Sequence, residues 1–470
     1  MPLTSPEAAA CIKSTSARYA SAWRIIWKDE FHRESFAISN MRLTNDEKAM
    51  LDGRDGRAVQ KAMDLLVRYG EALGAERLVD TNNVCGAVTA PMPLKLKLVK
   101  ERGIEAGFSA GYSEMNLDSQ EAVELPRVKV YTCQLIQQYG PDTAALHDGS
   151  REMLDLQRKA DDFFGSRGIH IMATCTPYQV GNVPVKGEHC AWMESSAVVY
   201  CNSVLGARTN AEGLESTGAA SLTGKIPYWG FHTPEYRFGT HLVEVEVPVE
   251  SMMDWGMLGY WVGEIVQDEI PVMRGRISQP DLMRLKHFGA AASSSGGVEM
   301  YHIPEITPEA PSLEAAFGPR RPKETLKYGE TERRTAYENL NASAKDRHVD
   351  FIMLGCPHDS IEQVWQAARL LDGKRLHAGT ELWVHTPRAL RELADRSGYT
   401  KIIESAGGHI LSDSCPAISR MMPRGTKVVA TDSAKQAHYL PAITGVQTWF
   451  GSLEDCIDAA LTGNWSGELH

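Results

Sequence analysis

Three of the nine cysteines stand in a context the others lack. Cys175 lies in Cys-Thr-Pro-Tyr, Cys356 in Gly-Cys-Pro-His and Cys415 in Asp-Ser-Cys-Pro. Each directly follows an expected strand, and each has a proline one or two residues on. None of Cys11, Cys85, Cys133, Cys190, Cys201 and Cys456 has such a proline. A proline there ends the strand, stiffens the loop and removes an N–H that would need a partner. Such a loop can hold a thiolate in a fixed place, and Cys-Pro recurs in iron–sulfur ligation. Four thiolates would close a cluster. Three leave one iron without a protein ligand, able to act as a Lewis acid on a substrate hydroxyl. The competing reading is plain core, since free cysteine is among the most buried residue types. Zinc is the weaker metal reading, because no short C-x-x-C pair is present to nucleate it.

A second constellation runs from Gly187 to Asn210. It sets Glu194, Ser195, Ser196, Asn202, Ser203, Arg208, Thr209 and Asn210 among small and apolar residues. Val198, Val199, Val204 and Leu205 argue for burial, and buried polar groups need partners that a ligand or cluster could supply. Arg208 suits a carboxylate, which its guanidinium can grip as a fork. A third constellation, Ala430 to Tyr439, follows an expected strand and opens a helix. Thr431, Ser433 and the free helix N–H groups could bind an anion, with Lys435 adding charge; ordinary N-capping explains Thr431 equally well. His232 and His358 are polar loop residues open to either use, and Ser293-Ser-Ser-Gly-Gly297 reads first as a turn.

The elements that must carry these residues are legible in the last 120 positions. Strands at 349–355, 381–385, 409–412, 427–430 and 446–449 are interleaved with helices at 360–371, 387–397 and 453–461. That alternation means βαβ units on a mostly parallel sheet, whose ligands sit at the carboxyl ends of the strands. Upstream, 56–76 repeats at helical spacing, Asn45 or Thr44 caps a helix, and 169–173 is a buried strand leading into Cys175. Strands are also expected at 77–79, 128–132 and 241–248, and 191–222 reads as mostly helical. Residues 304–345, rich in Pro, Glu, Arg and Lys, are the best linker candidate.

At 470 residues the chain holds two or three domains. A charged fraction of 23% and a net charge of −11 imply no basic surface for nucleic acid. No apolar run approaches a membrane span. Scattered cysteines favour a reducing compartment, the cytoplasm. Residues 1–28 carry Lys13, Arg18, Arg24 and Lys28 against Glu7 alone. They read as an irrelevant extension or an early start, with a mitochondrial transit peptide as the alternative. Met41 is a second plausible start.

Several motifs in one order resemble the aconitase X family: the start at Met41, Cys175-Thr-Pro-Tyr, Trp192 through Asn210, Thr223-Gly-Lys-Ile-Pro227, the Ser293 run, Gly355-Cys-Pro-His358, Cys415-Pro, and Thr431 through Tyr439. The resemblance implies an α/β fold of aconitase type, with mostly parallel sheets around a cluster cleft. It implies an iron–sulfur cluster, [4Fe–4S] or [2Fe–2S], on Cys175, Cys356 and Cys415. The activity implied is dehydration of a small hydroxy acid: cis-3-hydroxy-L-proline first, (R)-5-phosphomevalonate as the alternative. Substrate contacts are expected from Asn83, Gly86, Asn116, Glu194, Ser195, Ser196, Arg208, Thr431, Ser433 and Lys435. The stretch from Asp80 to Asp118 departs from the family pattern, which leaves the substrate open. The family's swivelling domain, with a serine that resembles a catalytic base, has no counterpart here, so a small partner subunit is expected to bring it. The domains expected are an extension at 1–40, a catalytic region at 41–330 and a C-terminal α/β domain at 331–470. A non-catalytic iron–sulfur carrier is the rival reading, disfavoured because a carrier closes its cluster with four ligands.

Overall fold

The structure, a computed structural model, describes residues 41–86, 92–140, 146 and 151–469; the extension at 1–40 lies outside them. Thr44, rather than Asn45, caps the first helix, Asn45–Leu51. Its hydroxyl accepts the Glu47 N–H and the Glu47 carboxylate accepts its own N–H, so two orphan donors are satisfied reciprocally. The helix Arg57–Leu73 buries Val59, Ala62, Met63, Leu65 and Leu66 on one face, as its spacing requires.

Six strands follow: β1 (Leu78–Asp80), β2 (Asn83–Gly86), β3 (Tyr131–Gln134), β4 (Ile169–His170), β5 (Cys190–Trp192) and β6 (Lys225–Pro227). β1 and β6 pair antiparallel, while β4-β3-β2-β5 form a parallel sheet. The strand expected at 128–132 therefore lies a few residues later. The segment expected to be mostly helical from 191 starts as strand and turns helical only at Ser195–Tyr200. A wide turn at Cys201–Leu205 and the helix Leu214–Thr223 complete it.

The middle of the chain builds β7 (His241–Val249), β8 (Pro271–Ile277) and β9 (Glu324–Tyr328), a parallel sheet in the order β8-β7-β9. The helices Met252–Val266 and Leu282–Ser295 pack closely against each other. A Cβ on Gly259 would lie 2.4 Å from the Phe288 carbonyl oxygen, so only glycine admits the approach. Residues 304–345 are not a linker. They supply β9, the helices Leu313–Phe317 and Glu330–Leu340, and the buried Phe317, Tyr328, Ala336 and Leu340. Their few apolar residues are enough because each seals the edge of an existing core.

The C-terminal sheet contains β10 (Phe351–Leu354), β11 (Glu381–His385), β12 (His409–Leu411), β13 (Val428–Thr431) and β14 (Gln447–Phe450). All are parallel, in the order β12-β11-β10-β13-β14. Both faces are covered, which is why these strands read as continuous apolar runs. On one face Ile352, Leu354, Leu382, Val384 and Ile410 meet Val364, Leu371 and Ile403. On the other, Phe351, Met353, Trp383 and Val429 share a cluster with Cys356 and Cys415. Each fully buried Val, Leu or Ile contributes about 1.5–3 kcal/mol, so the sheet is a rigid base for its loops.

Candidate active site

The order of both larger parallel sheets reverses beside their first strand, at β2/β5 and at β10/β13. Crevices at such points bind ligands. Cys175 follows β4 and Glu194 follows β5; Cys356 follows β10, Cys415 follows β12, Thr431 ends β13 and Asp432 through Lys435 follow it. The loops meet. Lys435 Nζ lies 2.7 Å from Glu194 Oε1 and 3.4 Å from Ser196 Oγ. The backbone N–H of His358 donates to Cys175 Sγ at 3.3 Å.

The three thiols share one environment. Burial pushes each of them up to about 12. In addition, the Cys356 thiol acts on Cys175, Cys415 on Cys356, and Cys175 on Cys415. Glu194 raises all three and Lys435 lowers them. Ser433, N-cap of the helix Ala434–Thr444, accepts the Gln436 N–H at 3.1 Å and acts to lower the Cys356 thiol. Burial alone would raise the Glu194 carboxyl. The Lys435 ammonium and the bonds from Lys435 and Ser196 outweigh it and hold Glu194 below its ordinary range.

His358 ties the loops together. Burial holds its imidazole down to about 4, so the ring is neutral. Its Nε2 faces the Ser414 carbonyl at 3.3 Å and its Nδ1 the Thr174 hydroxyl at 2.9 Å. A carbonyl only accepts, so Nε2 carries the proton and Nδ1 accepts from Thr174. Beneath it, Lys286 Nζ and Gln179 Nε2 both donate to the His358 carbonyl, at 3.0 and 2.9 Å. Lys286, Gln179, Thr174 and Ser414 lay outside the sequence reading. A lone charge in the apolar run Leu285-Lys-His-Phe-Gly-Ala-Ala-Ala was the one available signal. Among the described residues no three His, Cys, Asp or Glu side chains gather closely enough for a single metal ion. A cluster does not ask for that, since its thiolates ligate separate irons. Three soft donors crowded in a buried site are costly as bare thiolates and suit a cationic group that displaces their protons.

Other expected contacts are placed elsewhere. Arg208 donates from Nη1 to the His232 carbonyl and acts on His189, whose Nδ1 lies 2.9 Å from that of buried His232. Residues 206–208 leave the wide turn to run alongside Glu188–Cys190, and the buried Arg208 Nε makes no hydrogen bond to the described residues. Asn83 spends its amide on Asn182 and the Trp192 indole. Gly86 abuts Thr217, where a Cβ would lie 2.4 Å from the hydroxyl. Asn116 donates to the Leu214 carbonyl. These three hold the first domain's sheet and helices together. Ser293–Ser295 are helical, not a turn, with their hydroxyls on carbonyls of Ala290, Ala291 and Tyr260. Thr431 Oγ1 accepts the Ser433 N–H, and Ser195 opens the helix after Glu194.

Three family models match in succession: the aconitase X first domain at residues 40–235, the second domain at 239–338 and the third domain at 349–462. The chain belongs to the aconitase X family. It is 35% identical over 427 residues to the phosphomevalonate dehydratase large subunit of Methanocaldococcus jannaschii, an alignment covering 89% of this chain and 99% of that one. It is 32% identical over 434 residues to the cis-3-hydroxy-L-proline dehydratase of Pseudomonas aeruginosa, covering 90% of this chain and 70% of that one. The crystal structure of Thermococcus kodakaraensis aconitase X in its holo-form matches with a TM-score of 0.74 at 33% identity, over 89% of this chain and 100% of that one. As an aconitase X, the chain is a hydro-lyase of α/β architecture. Among the described residues no helix is long and apolar enough to cross a membrane.

Proposed function

We propose that this aconitase X is the large subunit of a dehydratase that removes water from a small hydroxy acid. The observation that carries the reading is geometric: the His358 N–H donates to Cys175 Sγ two residues beyond Cys356, Cys356 and Cys415 share one buried cluster, and the Lys435–Glu194 pair bridges the same strand ends. The three cysteines would hold an iron–sulfur cluster, which when bound supplies an open iron as a Lewis acid toward the leaving hydroxyl. Lys435, tethered by Glu194, presents a fixed ammonium to the substrate carboxylate. Ser196 and Ser433 line the same place with hydroxyls. Burial of the surrounding loops excludes water, which strengthens each of these interactions.

Of the two named substrates of its relatives, cis-3-hydroxy-L-proline fits the charge of the cleft. Among the described residues, Lys435 is matched by Glu194 and Lys286 by the His358 carbonyl and Gln363, which favours a substrate without a phosphomonoester. 5-Phosphomevalonate is the second reading, favoured by the 99% coverage of the large-subunit relative. The same alignments support a partner, since the cis-3-hydroxyproline dehydratase of Pseudomonas aeruginosa has a further stretch that this match does not reach. A base must come within hydrogen-bond reach of the proton it removes. The tethered Glu194 is not free for that, so the small subunit is proposed to bring it. A reducing compartment, the cytoplasm, suits eight free cysteines among the described residues.

The test is anaerobic assay of the reconstituted chain, alone and with a co-expressed small subunit, on both substrates. Turnover of cis-3-hydroxy-L-proline only with the partner is expected. Turnover of neither substrate by the pair sinks the substrate reading, and an ordinary rate from the chain alone sinks the partner.

A further inference from the structure

We propose that His358 is a positioning residue that sets the spacing of the three thiols by clamping their loops to one another. Three contacts and its own loop tie this one residue to the cysteines. Its N–H donates to Cys175 Sγ, its Nδ1 accepts from Thr174, its Nε2–H donates to the Ser414 carbonyl, and its own loop carries Cys356. Thr174 is the residue before Cys175 and Ser414 the residue before Cys415, so each ring nitrogen holds a different cysteine. The clamp is itself held. His385 Nδ1 donates to the same Ser414 carbonyl at 3.0 Å. Lys286 and Gln179 hold the His358 carbonyl, and Gln179 also reaches Thr176 Oγ1 at 2.7 Å. His358 is fully buried, so every one of these bonds is made out of water, where losing a partner costs most.

The two nitrogens can be removed one at a time. His358→Asn keeps an acceptor near the Nδ1 position and loses the donor to Ser414; His358→Gln keeps a donor near the Nε2 position and loses the acceptor for Thr174. The test is alkylation of the metal-free full chain with iodoacetamide, followed thiol by thiol by mass spectrometry. Cys456, buried in the C-terminal core, reports global unfolding. Loss of one partner in a buried hydrogen bond shifts a local opening by about fivefold to hundredfold. Asn should therefore accelerate Cys415 by about fivefold to hundredfold and spare Cys175, with Gln doing the reverse. Equal acceleration of both thiols in both variants, the reversed pattern, or no change overturns the clamp. If Cys456 accelerates in step, Thr174→Val, which cuts the Thr174 arm alone, carries the same test: Cys175 must rise and Cys415 must not. The consequence for a bound cluster rests on the proposed function. The two failures are separable, because wild-type chain that takes up no iron and sulfide sinks the cluster and leaves the alkylation pattern as it is.

Discussion

Lys435 Nζ and Glu194 Oε1 lie 2.7 Å apart although 241 residues separate them in the chain, and neither is more than 17% exposed. This largely buried ion pair joins the first and last domains. Taking one member away leaves a desolvated charge, which costs about 3–5 kcal/mol, whereas replacing both costs far less. Lys435→Met and Glu194→Gln are each expected to lower unfolding free energy by about that amount, and the double variant by less than their sum. Denaturant unfolding measures it. Additive losses would show that the two do not interact.

The same pair sets a pH dependence. The Glu194 carboxyl is held below its ordinary value. Its stabilisation is therefore present above the unfolded value of about 4.3 and lost as pH falls through the folded one. In Lys435→Met only burial and the Ser196 bonds remain, and burial pushes the carboxyl up. That variant should lose stability as pH rises from 5 toward 8, opposite in sign to the contribution of the intact pair. Parallel stability–pH curves for the two proteins would refute this.

Replacing Cys175, Cys356 or Cys415 by Ser is expected to abolish cluster absorbance and bound iron in reconstituted chain. Cys456→Ser should keep both, with a stability cost of about 1–3 kcal/mol for a buried hydroxyl. Iron and sulfide analysis beside the visible spectrum decides it. A cluster retained by any of the first three variants removes that residue from the ligand set.

Gly355 holds φ +90, and a Cβ there would lie 2.1 Å from the His385 carbonyl oxygen. Gly355→Ala must shift the loop that carries Cys356. It is expected to cost at least about 1–3 kcal/mol and to impair cluster assembly. Normal iron content in a folded Gly355→Ala chain would separate the loop from the thiol's placement.

Arg208→Lys is expected to leave KM unchanged, because the guanidinium is engaged with the His232 carbonyl rather than with the thiol loops. The loss should appear in melting temperature instead. A raised KM with unchanged melting would return Arg208 to the substrate.

The sequence by itself determined the C-terminal sheet, because parallel strands buried on both faces must be apolar runs and their helices must repeat at 3.6 residues. It also singled out Cys175, Cys356 and Cys415, since a proline after a strand end is visible in one dimension. Glu194, Ser196, Ser433 and Lys435 were legible as polar residues at expected helix starts, though nothing local said that they face one another. Only the tertiary structure showed which protein groups Asn83, Gly86, Asn116 and Arg208 touch. A polar residue in a strand or turn looks the same whether its partner is a substrate or a neighbouring backbone. It alone also revealed His358 as the meeting point of three loops and Lys286 beneath it. Their partners lie 56 to 184 residues away, and hydrogen bonds across such separations leave no period or spacing in the chain. They exist only once two sheets have brought their carboxyl ends together.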